Sequence, residues 1–96
     1  MLPRAVDVKE DLAGGAVYIM PNMNIASDFV ASDMNVTVSG LTVTDTGIAV
    51  VNDVTSDYYG MIEVPVTGSP VSGSIVTVDV EWNGKKFTKS FEYTAA

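Results

Sequence analysis

Carboxylates are the most abundant ionisable side chains of this chain that could do chemistry. Its 96 residues hold twelve Asp and Glu against five Lys and Arg, with no His and no Cys. Asp53 and Asp57 bracket Val54-Thr55-Ser56, while Asp28, Asp33 and Asp45 stand apart. Loop oxygens bind calcium when about six to eight of them converge; no calcium-loop spacing is present, so these residues read as solvated turn carboxylates. Glycoside hydrolysis needs two carboxyl groups about 5–10 Å apart across a cleft, and no acid pair stands out in a domain with little room for a cleft. Without His the commonest general base and metal ligand is missing. Without Cys there is no thiol nucleophile, thiolate metal site or disulfide framework. A serine nucleophile needs a base beside its hydroxyl. The candidate bases are Lys85, Lys86 and Lys89, which all read as solvated or snorkelling strand residues. The chain is therefore expected to be non-enzymatic, with no catalytic residue, metal or cofactor.

Recognition by contact remains. Trp82 and the pair Tyr58-Tyr59 are the aromatic features that could meet a ligand such as a sugar ring. Trp82, opposite Lys85 at a turn, is either an exposed platform or a lid closing the end of the core under Lys85. The lid is the preferred reading, and a cation over the ring is worth about 0.5–1 kcal/mol at an exposed site. Alternation along a strand sends one tyrosine inward and the other outward, leaving at most one for recognition. The candidate contact surface is thus Lys85, Lys86, Lys89, Trp82 and Tyr58. A net charge of −7 repels phosphate backbones and anionic lipid surfaces. The expected partner is a protein or a surface glycan, with no nucleic acid and no membrane insertion.

These residues are positioned by a hairpin. Residues 75–82 read Ile-Val-Thr-Val-Asp-Val-Glu-Trp and residues 85–93 read Lys-Lys-Phe-Thr-Lys-Ser-Phe-Glu-Tyr, two period-two runs around Asn83-Gly84. That dipeptide favours the positive φ angles of a type I′ turn. With Asn83 and Gly84 as the loop, Trp82 faces Lys85, Glu81 faces Lys86, Val80 faces Phe87, Val78 faces Lys89 and Val76 faces Phe91. One face then carries Val76, Val78, Val80, Trp82, Phe87, Phe91 and Tyr93, and the other is polar apart from Ile75. A hairpin apolar on one side must lay that side on a second layer, which the rest of the chain has to supply.

Residues 1–13 read as an arm or a first edge strand, with the arm preferred, and residues 14–96 as a single sandwich domain. After Gly14-Gly15, residues 16–20 form a strand that Pro21 stops. Residues 23–33 show no clear period: Ile25 and Phe29 suit one helical turn and extended chain equally. Met34, Val36 and Val38 share a strand face, and the parity flips at Ser39-Gly40, a sign of a bulge, a tight turn or a crossing between sheets. Asn35-Val36-Thr37 matches a glycosylation sequon but reads as an ordinary strand start. Asp45-Thr46-Gly47 is a turn, residues 48–51 an apolar run suited to an interior strand, and residues 58–64 a further strand whose edge or end is Pro65.

About seven short antiparallel strands with no secure helix predict an all-β sandwich, and the parity flip and long loops suit Greek-key crossings. Residues 74–94, with alternating Val and Thr, an Asn-Gly-Lys turn and an aromatic-bearing final strand, resemble an immunoglobulin-like domain of the bacterial and phage type. The missing Cys pair and the position of Trp82 near a turn set it apart from antibody domains. The resemblance implies a structural or adhesive role: a phage virion component, either capsid decoration or tail-associated, contacting capsid, tail or receptor. The alternative is an adhesion or carbohydrate-binding module cut from a bacterial surface protein. The first residues lack the uninterrupted apolar core of a signal peptide, so synthesis in the cytoplasm is expected, with the virion as destination, or the cell surface if the module is part of a larger secreted protein.

Overall fold

A computed structural model describes residues 1–25 and 27–95. Among the described residues there are eight strands: β1 (Ala5–Asp11), β2 (Ala16–Pro21), β3 (Met34–Val38), β4 (Thr42–Val43), β5 (Ala49–Val50), β6 (Ile62–Thr67), β7 (Ile75–Trp82) and β8 (Lys85–Glu92). They form two antiparallel sheets. One runs β1-β2-β6-β4, with β5 also paired to β6; the other runs β3-β7-β8. Each sheet is apolar on one face, and the two faces close on a shared core in the manner of a β-sandwich. Val17, Ile19, Ile62 and Val64 enter it from the first sheet, and Val36, Val76, Val78 and Val80 from the second.

The hairpin has the expected register, with Trp82 opposite Lys85, Val80 opposite Phe87, Val78 opposite Lys89 and Val76 opposite Phe91. Asn83 at φ 53° and Gly84 at φ 78° both occupy the left-handed region that a two-residue turn of this hand requires. Its apolar face is graded. The four β7 members are buried, whereas Phe87, Phe91 and Tyr93 are only partly covered, because β7 is the middle strand of its sheet and β8 is an edge.

Four expectations change. The strand expected over residues 58–64 begins only at Ile62 and runs on to Thr67, with residues 58–60 in a turn. Residues 5–11 are a strand paired with β2 rather than an arm, and the pairing is interrupted by a bulge at Val6. The run 48–51 is no interior strand: only Ala49 and Val50 pair, on the outer side of β6, while Ile48 turns into the core. Pro65 ends nothing. It lies inside β6, the central strand of its sheet, opposite Ala16. The hydrogen bond from Val66 N to Gly15 O (2.9 Å) shows that β6 addresses β2 through Val66, while the Pro65 carbonyl accepts from Thr44 N (2.9 Å) on the opposite side. The missing Pro65 donor therefore points where β4 has ended and β5 has not begun. The 3-10 turn Asp45–Gly47 fills that interval and needs no donor from β6. Gly47 packs so tightly on the Pro65 ring that a Cβ there would stand 2.8 Å from Cγ.

The parity flip at Ser39-Gly40 is a crossing between sheets. β3 pairs with β7, and after a turn with Gly40 at φ 74° the chain enters β4, which pairs with β6. In the connection before β3, Ile25 is buried and Phe29 packs edge-on to Trp82, ring centroids 6.0 Å apart at 76°.

This gradation predicts unequal costs of truncation. Ile62 is fully buried, so Ile62→Ala should cost about 2–5 kcal/mol; partly covered Phe91 should cost about 1–2 kcal/mol on truncation to Ala. Urea unfolding of the two variants is the check, and a loss at Phe91 as large as at Ile62 would contradict β8 as an edge.

Candidate functional site

The hydrogen-bond parity of β8 determines what its outer side offers. Tyr93 N donates to Ser74 O, and Gly73 N donates to Tyr93 O, so the odd-numbered residues of β8 face β7 and the even-numbered ones face away. Lys86, Thr88, Ser90 and Glu92 thus direct their backbone N–H and C=O groups outward along an edge without bulge or proline. Their side chains lie on the polar outer face, cross-linked to β7: Thr88 Oγ1 donates to Asp79 Oδ1 (2.6 Å), the Thr77 and Ser90 hydroxyls share a bond of 2.8 Å, and Lys86 stands 3.9 Å from Glu81. Lys85 and Lys86 are exposed at the hairpin tip. Asn83 Nδ2 ties that tip to the chain start through the Pro3 carbonyl (2.8 Å).

Trp82 does not belong to this surface. It is 2 % exposed, the largest fully buried side chain, so it is no exposed platform and instead closes the end of the core as the lid reading expects. Alternation already aims it inward from the end of β7, and Phe29 closes the core beyond it.

Lys89 is also committed elsewhere. Paired with Val78, it starts on the apolar side of β8 and reaches across to the first sheet. Its Nζ donates to Asp7 Oδ1 at 2.8 Å and to Val8 O at 2.9 Å, while Val8 N donates to the same Asp7 oxygen at 2.8 Å. Asp7 and Lys89 together occupy the outward backbone groups of Val8 and, with the bulge at Val6, blunt the free edge of β1. The Lys89 hydrogen bond, followed by that from Val8, holds the Asp7 carboxyl below its ordinary value of 3.8. A depressed folded-state value favours the native protein at pH above 3.8, and the contribution is lost as pH falls through the lower folded value. The stability advantage of the native chain over Asp7→Asn should accordingly be level near neutrality and shrink towards zero in acid below pH 3.8; urea midpoints of both proteins across that range test it, and a constant difference would refute the ion pair.

Tyr58 packs on the outer face of the first sheet. Its ring lies on Tyr18 with centroids 3.8 Å apart and planes within 3°, and the Tyr18 hydroxyl donates to Glu63 Oε1 at 3.0 Å. Tyr58 is therefore a half-buried cover for Tyr18, and Tyr59, 55 % exposed, is the outward member of the pair. Asp53, one of the candidate metal carboxylates, is used within the same loop, where Oδ1 accepts from Thr55 N (2.9 Å) and Thr55 Oγ1 (2.7 Å). Among the described residues no group of three or more acidic side chains is placed to share an ion. Burial, followed by the hydrogen bond to Glu63, pushes the Tyr18 hydroxyl up from 10.0 to about 12. The neutral phenol is thus favoured by folding; its contribution is complete below pH 10.0 and disappears as pH climbs towards 12. Between those values the native chain should lose stability relative to Tyr18→Phe, measured by urea unfolding at stepped pH; parallel curves would rule the buried phenol out.

Beside Tyr59, a cleft of about 300 Å³ opens between the end of β2 and the loop before β6, lined mainly by Met20, Met23, Val51 and Met61. Sequence reasoning missed it because Met23 and Asn24 lie in a stretch without clear period and the sequence predicts a strand over Tyr59, Gly60 and Met61, whereas the chain there forms a loop over the end of β2. No family model matches the chain, and no curated protein or solved structure matches it either.

Proposed function

We propose that this domain is a non-enzymatic structural and interaction module of immunoglobulin-like Greek-key type, serving as a capsid-decoration or tail-associated component of a phage virion. Strand order supports the fold type. With β4 and β5 taken as two halves of one interrupted strand, the sheets correspond to the ABED and CFG sheets of a constant-type immunoglobulin domain. A chain without Cys also needs no oxidising compartment to fold.

The observation that carries the working mode is the regular free edge of β8. Four residues there present backbone groups that no other strand among the described residues pairs with, next to the exposed amines of Lys85 and Lys86, in a chain of net charge −7. An edge of this kind accepts an added strand or loop from a partner, and the two lysines favour an acidic one. The test is co-sedimentation with capsid or tail proteins encoded beside the gene. Binding should weaken as salt rises, because the Debye length is about 10 Å at 0.1 M and shorter above it. Lys85→Glu and Lys86→Glu should weaken it further, and no co-sedimentation at either low or high salt would overturn the reading.

The alternative, an adhesion or carbohydrate-binding module of a bacterial surface protein, draws its support from exposed Tyr59 at the methionine-lined cleft with Asn52 on its wall. A sugar ring stacks on such an aromatic while amides address its hydroxyls. Glycan binding abolished by Tyr59→Ala would favour it over the virion reading.

A further inference from the structure

We propose that the free edge of β8 pairs with the same edge of a second copy of this chain, joining two three-stranded sheets into one six-stranded sheet across a two-fold axis. This rests on the reading of that edge as the contact surface and deepens it by naming the occupant.

The edge is complementary to itself. A two-fold interface sets the same patch against itself, so a strand pairs with its own copy only in antiparallel register. The outward residues are Lys86, Thr88, Ser90 and Glu92, and only one register uses all four of them: Lys86 opposite the second copy's Glu92, and Thr88 opposite its Ser90, each occurring twice. Every pair is of the hydrogen-bonded kind, so all eight outward N–H and C=O groups per strand find partners. Opposite charges meet at both ends and hydroxyls meet in the middle. Registers displaced by two residues set Lys86 against Ser90, or Thr88 against Glu92, and leave charges unmatched.

The monomer lacks what this register supplies. The cross-strand neighbour of Glu92 is Ile75, which carries no charge. In the pair, the outer-face row would run Glu81, Lys86, Glu92 of the second copy, alternating in sign. On the inner face Phe87 would meet Phe91 of the copy twice, and both rings are only partly covered in the monomer; aromatic cross-strand pairs of this kind stabilise sheets. Lys89 would meet itself on the axis, and its charge is already neutralised by Asp7 at 2.8 Å. The blunted β1 edge offers no equivalent, because the outward groups of Val8 are taken by Asp7 and Lys89. Each copy carries a charge of −7, so the measurement belongs at physiological salt, where a Debye length of about 8 Å screens the long-range repulsion.

Sedimentation equilibrium of the whole chain from micromolar to millimolar concentration, with three charge variants, decides the matter. The native chain should form dimers. Lys86→Glu alone, or Glu92→Lys alone, turns two attractive pairs into two repulsive ones and should raise the dissociation constant on the order of ten-fold or more. The doubly exchanged chain, Lys86→Glu with Glu92→Lys, recreates the pairs in reverse and should return to within about three-fold of native. A monomer at every concentration, or a double variant as weak as either single one, would overturn self-pairing. The outcomes separate the two readings. A monomer that co-sediments with an acidic partner keeps the contact edge and removes the second copy. A dimer rescued by the exchange, with no other partner bound, supports self-pairing and removes the acidic partner.

Discussion

Two sheets that are each apolar on one face have to cover one another, and nearly every other feature of this molecule answers to that constraint. Apart from the Tyr18 phenol, no polar or charged side chain among the described residues is buried, and no buried side-chain nitrogen or oxygen among them lacks a partner. Stability therefore rests on close contact between Val- and Ile-rich inner faces, with no disulfide to restrain the unfolded chain. The interior strands β2, β6 and β7 carry the residues that vanish most completely from solvent, and burial is lowest on the β8 edge. At the edges the backbone itself becomes the polar group to be satisfied.

The two strands on the open side of the sandwich solve that problem differently. β1 is acidic, bulged, and has its outward groups at Val8 bonded by Asp7 and Lys89. β8 is straight and regular, protected only by the charges of its side chains. Lys89 belongs to both, since it leaves one edge to seal the other and links the two sheets on the side where neither strand has a neighbour. The asymmetry turns β8 into the surface with unspent hydrogen-bonding capacity.

Much of this is legible in the sequence, and the parts that are not share a cause. The hairpin can be read to the residue because Asn83-Gly84 and two alternating runs set its register locally. The crossing at Ser39-Gly40 is visible as a change of parity. Burial of Trp82 at the end of the core follows from the same alternation; the residue that packs edge-on to it, Phe29, lies in a stretch without period. Lys89 looks solvated in sequence because its partner Asp7 lies on the other sheet, and only the packing brings the two together. Tyr58 and the methionine-lined cleft depend likewise on how residues 51–61, read in part as strand, return over the sheet as a loop. Short-range chemistry shows in one dimension, and contacts across layers do not.

Pro65 in the central strand has a consequence for how this sequence can drift. A one-residue slip of β6 would aim the proline nitrogen at β2, where a donor is required, so the ring acts as a pin that admits one alignment of that strand. The ring is accommodated because Gly47 leaves room for it, with no space for even a methyl group between them. Neither position can change by itself without loss. Replacing Gly47 demands a smaller residue than proline beneath it, and restoring a donor at position 65 points an N–H into the turn that lies over it. Related chains should therefore keep this glycine and proline together or exchange both at once, a covariation between residues 47 and 65 imposed by steric fit and by the absent donor.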